Sequence, residues 1–298
     1  MTMHLNTLLL GSLAVGLAAC ASGEKASSEA AIKPAATTAP LAISVYSAGS
    51  LRGALTTIAK DHEARTGQKI ALTFGASGLL RERIEKGEAA QVFASADNDH
   101  PQRLMRQGGW QPSTVFVRNT LCALTSDKLN TTPDTLLTTL LRPDVRLGTS
   151  TPKADPSGDY TWTMFEKADA LQAGAFATLS TKAHKLVGAV DSPQPPEGRL
   201  AYAWIMDKGD VDVFLTYCTN AVAAQKEVPR LKVVQFPPEL KVGAAYGMTV
   251  RQGASPAASA FAKALLAPEG QAGARRGQFA IAGGVDHRGN VRGCHHAA

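Results

Sequence analysis

The chain has 298 residues, 44% hydrophobic and 19% charged, the balance of a globular protein able to bury a core. At roughly 100–200 residues per domain that length allows one large domain or two modest ones. Its 27 glycines and 16 prolines exclude collagen-like and low-complexity classes, and only four cysteines exclude a disulfide-dense miniprotein. The net charge of +6 comes from scattered side chains, and with aromatics at 6% the pattern argues against nucleic acid as a partner. No apolar run reaches about 18 residues, which excludes a multi-pass membrane protein.

The N-terminus reads as an export signal. Residues 1–19 contain no Lys, Arg, Asp or Glu, and Leu8 to Leu17 is apolar. Leu17-Ala18-Ala19-Cys20 then resembles the lipobox of bacterial lipoproteins, which implies Cys20 as the lipid attachment site; an ordinary signal with an incidental cysteine is the alternative. Residues 20–40, rich in Ala, Ser, Thr and Pro, cannot bury enough surface to offset their ordering entropy and read as a flexible linker to the anchor.

From Leu41 onward short β-branched runs alternate with helical periods. Strands are expected at Ile43 to Tyr46, Lys69 to Phe74 and Val92 to Ala94. The intervening helices are Leu51 to Thr66, with apolar residues at Leu51, Leu55, Ile58 and Ala59, and Leu79 to Lys86. A second series follows: a strand at Val115 to Leu124, a helix near Thr132 to Leu141, a strand at Arg146 to Gly148, and helices near Tyr160 to Ala170 and Ala175 to Thr181. Next come a strand at Lys185 to Val190, a helix at Gly198 to Lys208 and a strand at Val211 to Thr216. After a further helix, strands at Lys232 to Gln235 and Ala244 to Val250 precede helices at Pro256 to Leu266 and Glu269 to Gly277. Such alternation predicts an α/β protein with mostly parallel sheets flanked by helices.

The chemistry collects between strand and helix. Ser47-Ala48-Gly49-Ser50, Gly75-Ala76-Ser77-Gly78 and Asp155-Pro156-Ser157-Gly158 each place a serine among small residues at a helix start. Helix N-termini expose unpaired N–H groups and partial positive charge, and small residues let a ligand approach the backbone. Each serine alone is explained as an N-cap, contributing about 1 kcal/mol. Three such junctions together suit an anion site at the carboxyl ends of strands.

At these residues the chain resembles the molybdate-binding proteins of bacterial ABC importers, over about Ile43 to Phe279. Tyr46-Ser47-Ala48-Gly49-Ser50-Leu51 is similar to the first ligand loop and implies Ser50; Phe74-Gly75-Ala76-Ser77-Gly78 is similar to the second and implies Ser77. Val92-Phe93-Ala94-Ser95-Ala96-Asp97 matches a strand and turn. Asp155-Pro156-Ser157-Gly158-Asp159-Tyr160 implies Ser157 as a backbone N–H donor, and Val213-Phe214-Leu215-Thr216-Tyr217 implies the Tyr217 hydroxyl. Counting back from Tyr217 puts a fourth donor near Arg199, in a stretch that matches poorly and would bring a formal charge to a site that has none in the family. Gln91 and Cys218 also depart from the pattern, and the extension from Asp286 to Ala298 has no counterpart.

The resemblance implies a two-lobe type II periplasmic binding fold with the ligand in a cleft between lobes. The chain would cross near Arg118-Asn119-Thr120 and Pro237-Pro238-Glu239, so that residues 41–118 plus 240–298 form lobe one and 119–239 lobe two. It implies a monomeric, non-enzymatic solute-binding protein in the periplasm or cell envelope. Its ligand would be molybdate or tungstate, its partners the ABC permease subunits; no cofactor and no metal beyond the bound oxyanion are expected. The same fold with another small anion or a chelated metal is the alternative. A serine hydrolase using His184 as base is a remote one, since the G-x-S-x-G elbow is missing. Cys122 and Cys218 are candidates for a disulfide, as export permits. His287 and Cys294-His295-His296 resemble soft-metal ligands but sit in a short glycine-rich tail.

Overall fold

The computed structural model describes residues 41–281. The expected signal, linker and Cys20, and the tail with His287, Cys294, His295 and His296, lie outside the described residues.

The first half of the chain follows the expected alternation. β1 (Ile43–Ala48) leads through a 3-10 turn (Gly49–Leu51) into α1 (Arg52–Thr66). Then come β2 (Ile70–Gly75), α2 (Ser77–Glu85), β3 (Val92–Ala94), α3 (Asp99–Gln107) and the 12-residue β4 (Thr114–Thr125). α4 (Leu136–Leu141), β5 (Leu147–Ser150), α5 (Pro156–Leu171), α6 (Ala175–Lys182), β6 (Ala183–Val187), α7 (Ala201–Lys208) and β7 (Val213–Tyr217) continue it. α8 (Cys218–Glu227), β8 (Lys232–Gln235), β9 (Gly243–Val250), α9 (Pro256–Leu266), α10 (Pro268–Arg276) and β10 (Ala280–Ile281) close the chain.

Local chemistry explains where these elements depart from expectation. α5 begins four residues before Tyr160 because Asp155 caps it, accepting from the Ser157 N–H, with Pro156 in the first turn. β6 stops at Val187 because Gly188 turns the chain at φ +95°, where a Cβ would lie 2.5 Å from the Asp155 Cβ. α3 is not expected from the sequence because it is polar nearly throughout, burying only Pro101 and Leu104 on a narrow face.

The strands form one sheet in the order β2-β1-β3-β9-β4-β7-β5-β6, with β8 and β10 also on β4. β1 pairs in parallel with β2 and β3, and β5 with β6 and β7, as βαβ connections require. β4 and β9 add antiparallel pairings, so the sheet is mixed. β4 is long enough to serve both parallel groups. Its first part, Thr114 to Thr120, pairs with β9; its second, Leu121 to Thr125, pairs with β7 and, in Cys122 to Thr125, with β8.

The helical period of α1 buries Leu55, Ile58 and Ala59, and Leu51 just before it, in a core shared with Val45, Val117, Phe165, Val213 and Phe261. A second cluster under α7 and α8 contains Leu124, Ile205, Phe214 and Ala221. In it Cys122 of β4 and Cys218 of α8 form a disulfide, with Cα atoms 4.8 Å apart.

Candidate functional site

Parallel pairing decides where the serines go. Because β1, β2 and β3 share a direction, with Ala48 opposite Gly75 and Ser47 opposite Ala94, the segments leaving them emerge along one edge. These segments carry Ser50, Ser77 and Ser95-Ala96-Asp97. β5 and β7 are likewise parallel, so the segments carrying Ser157 and Tyr217 leave at a common edge.

Hydrogen bonds join the two sets. Ser77, fully buried at the start of α2, accepts the Ala96 N–H at 3.0 Å. The Tyr217 hydroxyl donates to the Ala96 carbonyl at 3.0 Å. Ser50 Oγ lies 2.9 Å from the Tyr246 hydroxyl, and the Tyr246 and Tyr217 rings pack edge to face at 5.3 Å. The Gly78 N–H, in the first turn of α2, donates to the Ala154 carbonyl at 2.9 Å, bringing the start of α5 against the start of α2. Glycine is required there: a Cβ on Gly78 would lie 2.4 Å from the Lys153 carbonyl oxygen.

Ser157 belongs to this neighbourhood with a changed role. Its N–H is taken by the Asp155 carboxylate at 3.1 Å, whereas its buried Oγ has no hydrogen-bond partner. Arg199 is not brought to the group. At the start of α7 its guanidinium donates to Glu227 and, at 3.1 Å, to Asp207, while Glu227 also accepts the Leu200 N–H at 2.9 Å. Two carboxylates hold the charge on the flank of α7 and α8, which is why counting back along the sequence misplaced it. His184 is exposed on β6 and hydrogen-bonds no serine among the described residues.

Burial sets the electrostatics. It pushes the Asp155 carboxyl up to about 6, against which the Ser157 N–H and Ser150 hydrogen bonds work in the opposite direction. Burial also raises Asp97 and Asp159 and lowers His100, whose Nε2 is 3.7 Å from Asp97. Tyr217 and Tyr246 are raised well above the ordinary phenol value by burial, so both remain neutral. Arg81, buried one turn along α2 from Ser77, is neutralised by Glu85. Ser50, Ser77 and Ser157 therefore present neutral hydroxyls, whereas Tyr217, expected to aim its hydroxyl at a ligand, gives its one hydrogen to the Ala96 carbonyl. Among the described residues no cluster of three or more His, Cys, Asp or Glu has the arrangement of a metal site.

Sequence reasoning missed Tyr246 and the part played by Ala96. Tyr246 sits in an apolar strand, and only the β4/β9 register, Val117 opposite Tyr246, brings it near Asn119. Ala96 acts through its peptide groups, which leave no residue-type signal.

Residues 43–277 match the model of the bacterial extracellular solute-binding protein family. The uncharacterized protein PM1146 of Pasteurella multocida (strain Pm70) is 35% identical over 203 residues, 68% of this chain and 84% of that one. Among solved structures, the sulfate-binding protein SubI from Mycobacterium tuberculosis H37Rv superposes with a TM-score of 0.67 at 17% identity, over 81% of this chain and 87% of its own. The Azotobacter vinelandii periplasmic molybdate-binding protein superposes with a TM-score of 0.63 at 19% identity, over 80% and 99%. The fold is thus that of type II periplasmic binding proteins, and the chain belongs to the bacterial extracellular solute-binding protein family.

Proposed function

We propose that this protein binds a tetrahedral oxyanion, molybdate or tungstate, outside the cytoplasm and delivers it to the permease subunits of an ABC importer as a monomer held by an N-terminal lipid anchor. The ligand would sit among Ser50, Ser77, Ser157 and Tyr217. The observation that carries this reading is Ser77: it is fully buried, its oxygen accepts the Ala96 N–H, and its own hydrogen has no acceptor among the described residues. The unpartnered Ser157 hydroxyl offers a second donor in place of its engaged N–H. A dianion with acceptor oxygens alone suits such donors, each charge-assisted bond contributing about 1.5–3 kcal/mol. The fold shared with molybdate- and sulfate-binding proteins agrees with that ligand class.

The proposal includes two lobes, 41–118 plus 240–298 and 119–239, hinged near Asn119. The change of β4 partners between Thr120 and Leu121 supports this division. The Gly78–Ala154 and Tyr217–Ala96 bonds would then be closing contacts, and a ligand gripped from both sides favours the closed state. Thermal unfolding of the purified protein with molybdate, tungstate, sulfate, phosphate and small organic anions tests the reading. Molybdate and tungstate are expected to stabilise it most, by about 2.7 kcal/mol at a hundredfold excess over Kd. A panel in which no oxyanion raises Tm overturns it.

A further inference from the structure

Tyr217 stands at a strand end that the sheet itself holds weakly. It is the last residue of β7 to pair with β4, opposite Leu121, and the pairing with β5 has already stopped at Leu215. The neighbouring residue of β4, Thr120, is taken by β9. Strand ends without ladder partners open readily, yet the Tyr217 hydroxyl has to stay 3.0 Å from the Ala96 carbonyl. Cys218, the next residue, supplies the missing hold. Its disulfide to Cys122 ties it to β4 on one side of Leu121. On the other side Thr120 donates its hydroxyl hydrogen to the Cys218 sulfur at 3.3 Å, since a disulfide sulfur has none to give. Asn119 Nδ2 donates to the Thr219 hydroxyl at 2.9 Å and to the Tyr246 hydroxyl at 3.1 Å, which in turn meets Ser50 at 2.9 Å. Residues 119–122 of β4 thus fasten residues 217–219, and the one covalent fastening is the disulfide beside Tyr217.

We infer that Cys122 and Cys218 are positioning residues for the anion site: their disulfide holds the end of β7 so that Tyr217 keeps the Ala96 peptide in place against Ser77. The inference rests on the oxyanion reading of Ser77. Breaking the bridge releases Cys218 and with it the aim of the Tyr217 ring. Ala96 then loses a fixed partner for its carbonyl, and Ser77, which accepts the Ala96 N–H, loses the contact that orients its hydroxyl. A bridge that served the fold alone would act by restricting the unfolded chain. Its loss would lower the unfolding temperature and leave the affinity of the folded protein untouched. Position, not stability, separates the two roles.

Calorimetric titration of the full protein with molybdate, at a temperature where every form is folded, tests this in wild type, Cys122→Ala with Cys218→Ala, Tyr217→Phe, and all of these changes together. Thermal unfolding of each form reads stability separately. Tyr217→Phe keeps the ring against Tyr160 and Tyr246 and removes only the hydroxyl. Removing the bridge is expected to weaken molybdate binding about fivefold where Tyr217 is present, the equivalent of one neutral hydrogen bond. In the Tyr217→Phe background, where the contact it secures is already gone, the further loss is expected to stay below about twofold. Wild type reduced with dithiothreitol, which takes the disulfide to two thiols while closing its own disulfide ring, is expected to show the same loss, reversed on reoxidation; this comparison stands in if the cysteine variant does not fold. Unchanged affinity in the bridge-free folded protein, with only the unfolding temperature lowered, overturns the inference and leaves the oxyanion reading standing. An equal loss with and without the Tyr217 hydroxyl does the same. Wild-type protein that binds no molybdate removes the oxyanion reading and the inference with it.

Discussion

The Tyr217 hydroxyl and the Ala96 carbonyl meet at 3.0 Å, joining residues 121 apart in sequence. The other face of Ala96 donates its N–H to Ser77, so one short peptide segment links the end of β7 to the start of α2. The segments that carry Ser77 and Tyr217, distant in the chain, are thereby held against each other through one peptide unit.

If the serines are ligand donors, Ser50→Ala and Ser77→Ala each weaken molybdate binding about tenfold or more, the loss of one hydrogen bond to a charged partner. Isothermal titration calorimetry measures this directly. Unchanged affinity in both variants takes the serines out of the site.

Gly78→Ala puts a methyl group 2.4 Å from the Lys153 carbonyl and 2.7 Å from that of Ala154. The contact between α2 and the segment before α5 cannot then form as it stands. Small-angle scattering of the variant with ligand is expected to show a more open molecule than wild type, with affinity reduced by about tenfold or more, the equivalent of a lost charge-assisted bond. A variant that closes and binds like wild type contradicts the assignment of this contact to closure.

Arg199→Ala is expected to leave anion affinity within about twofold of wild type, because its guanidinium is engaged by Glu227 and Asp207 instead of facing the serines. A large loss of binding in the titration would restore it to the ligand's surroundings.

Asp155 gives stability a pH dependence of definite sign. Its carboxyl is raised to about 6 in the folded chain, above its unfolded value, so between about pH 4 and 6 the native state binds the extra proton. Stability from this group is therefore present below pH 4 and is lost as pH rises through 6, by up to about 3 kcal/mol. Asp155→Asn keeps a capping side chain for α5 and removes the titration. Denaturant melts across pH 4–7 should show a shallower decline in the variant than in wild type; identical slopes would refute the assignment.

The Cys122–Cys218 disulfide closes a loop of sequence separation 96 beside Tyr217. The double variant Cys122→Ser with Cys218→Ser is expected to lose about 2–4 kcal/mol in chemical denaturation. Equal stability of wild type and variant under oxidising conditions would show that the bridge contributes nothing.

The alternation of strands and helices, α3 apart, is legible in the amino-acid order, because periodicity in residues such as Leu51, Leu55 and Ile58 reports local burial directly. So are the loops bearing Ser50, Ser77 and Ser157, because small residues beside serine at a helix start have a local conformational cause. The engagement of Arg199 by Glu227 and Asp207, the capture of the Ser157 N–H by Asp155, and the contacts of Tyr246 with Ser50 and Asn119 are visible in the folded chain alone. Those outcomes depend on pairings between β4 and β9 and on side chains far apart in the chain. A hydrogen bond has a direction only once both partners are in place, and the order of residues along a chain does not carry that information.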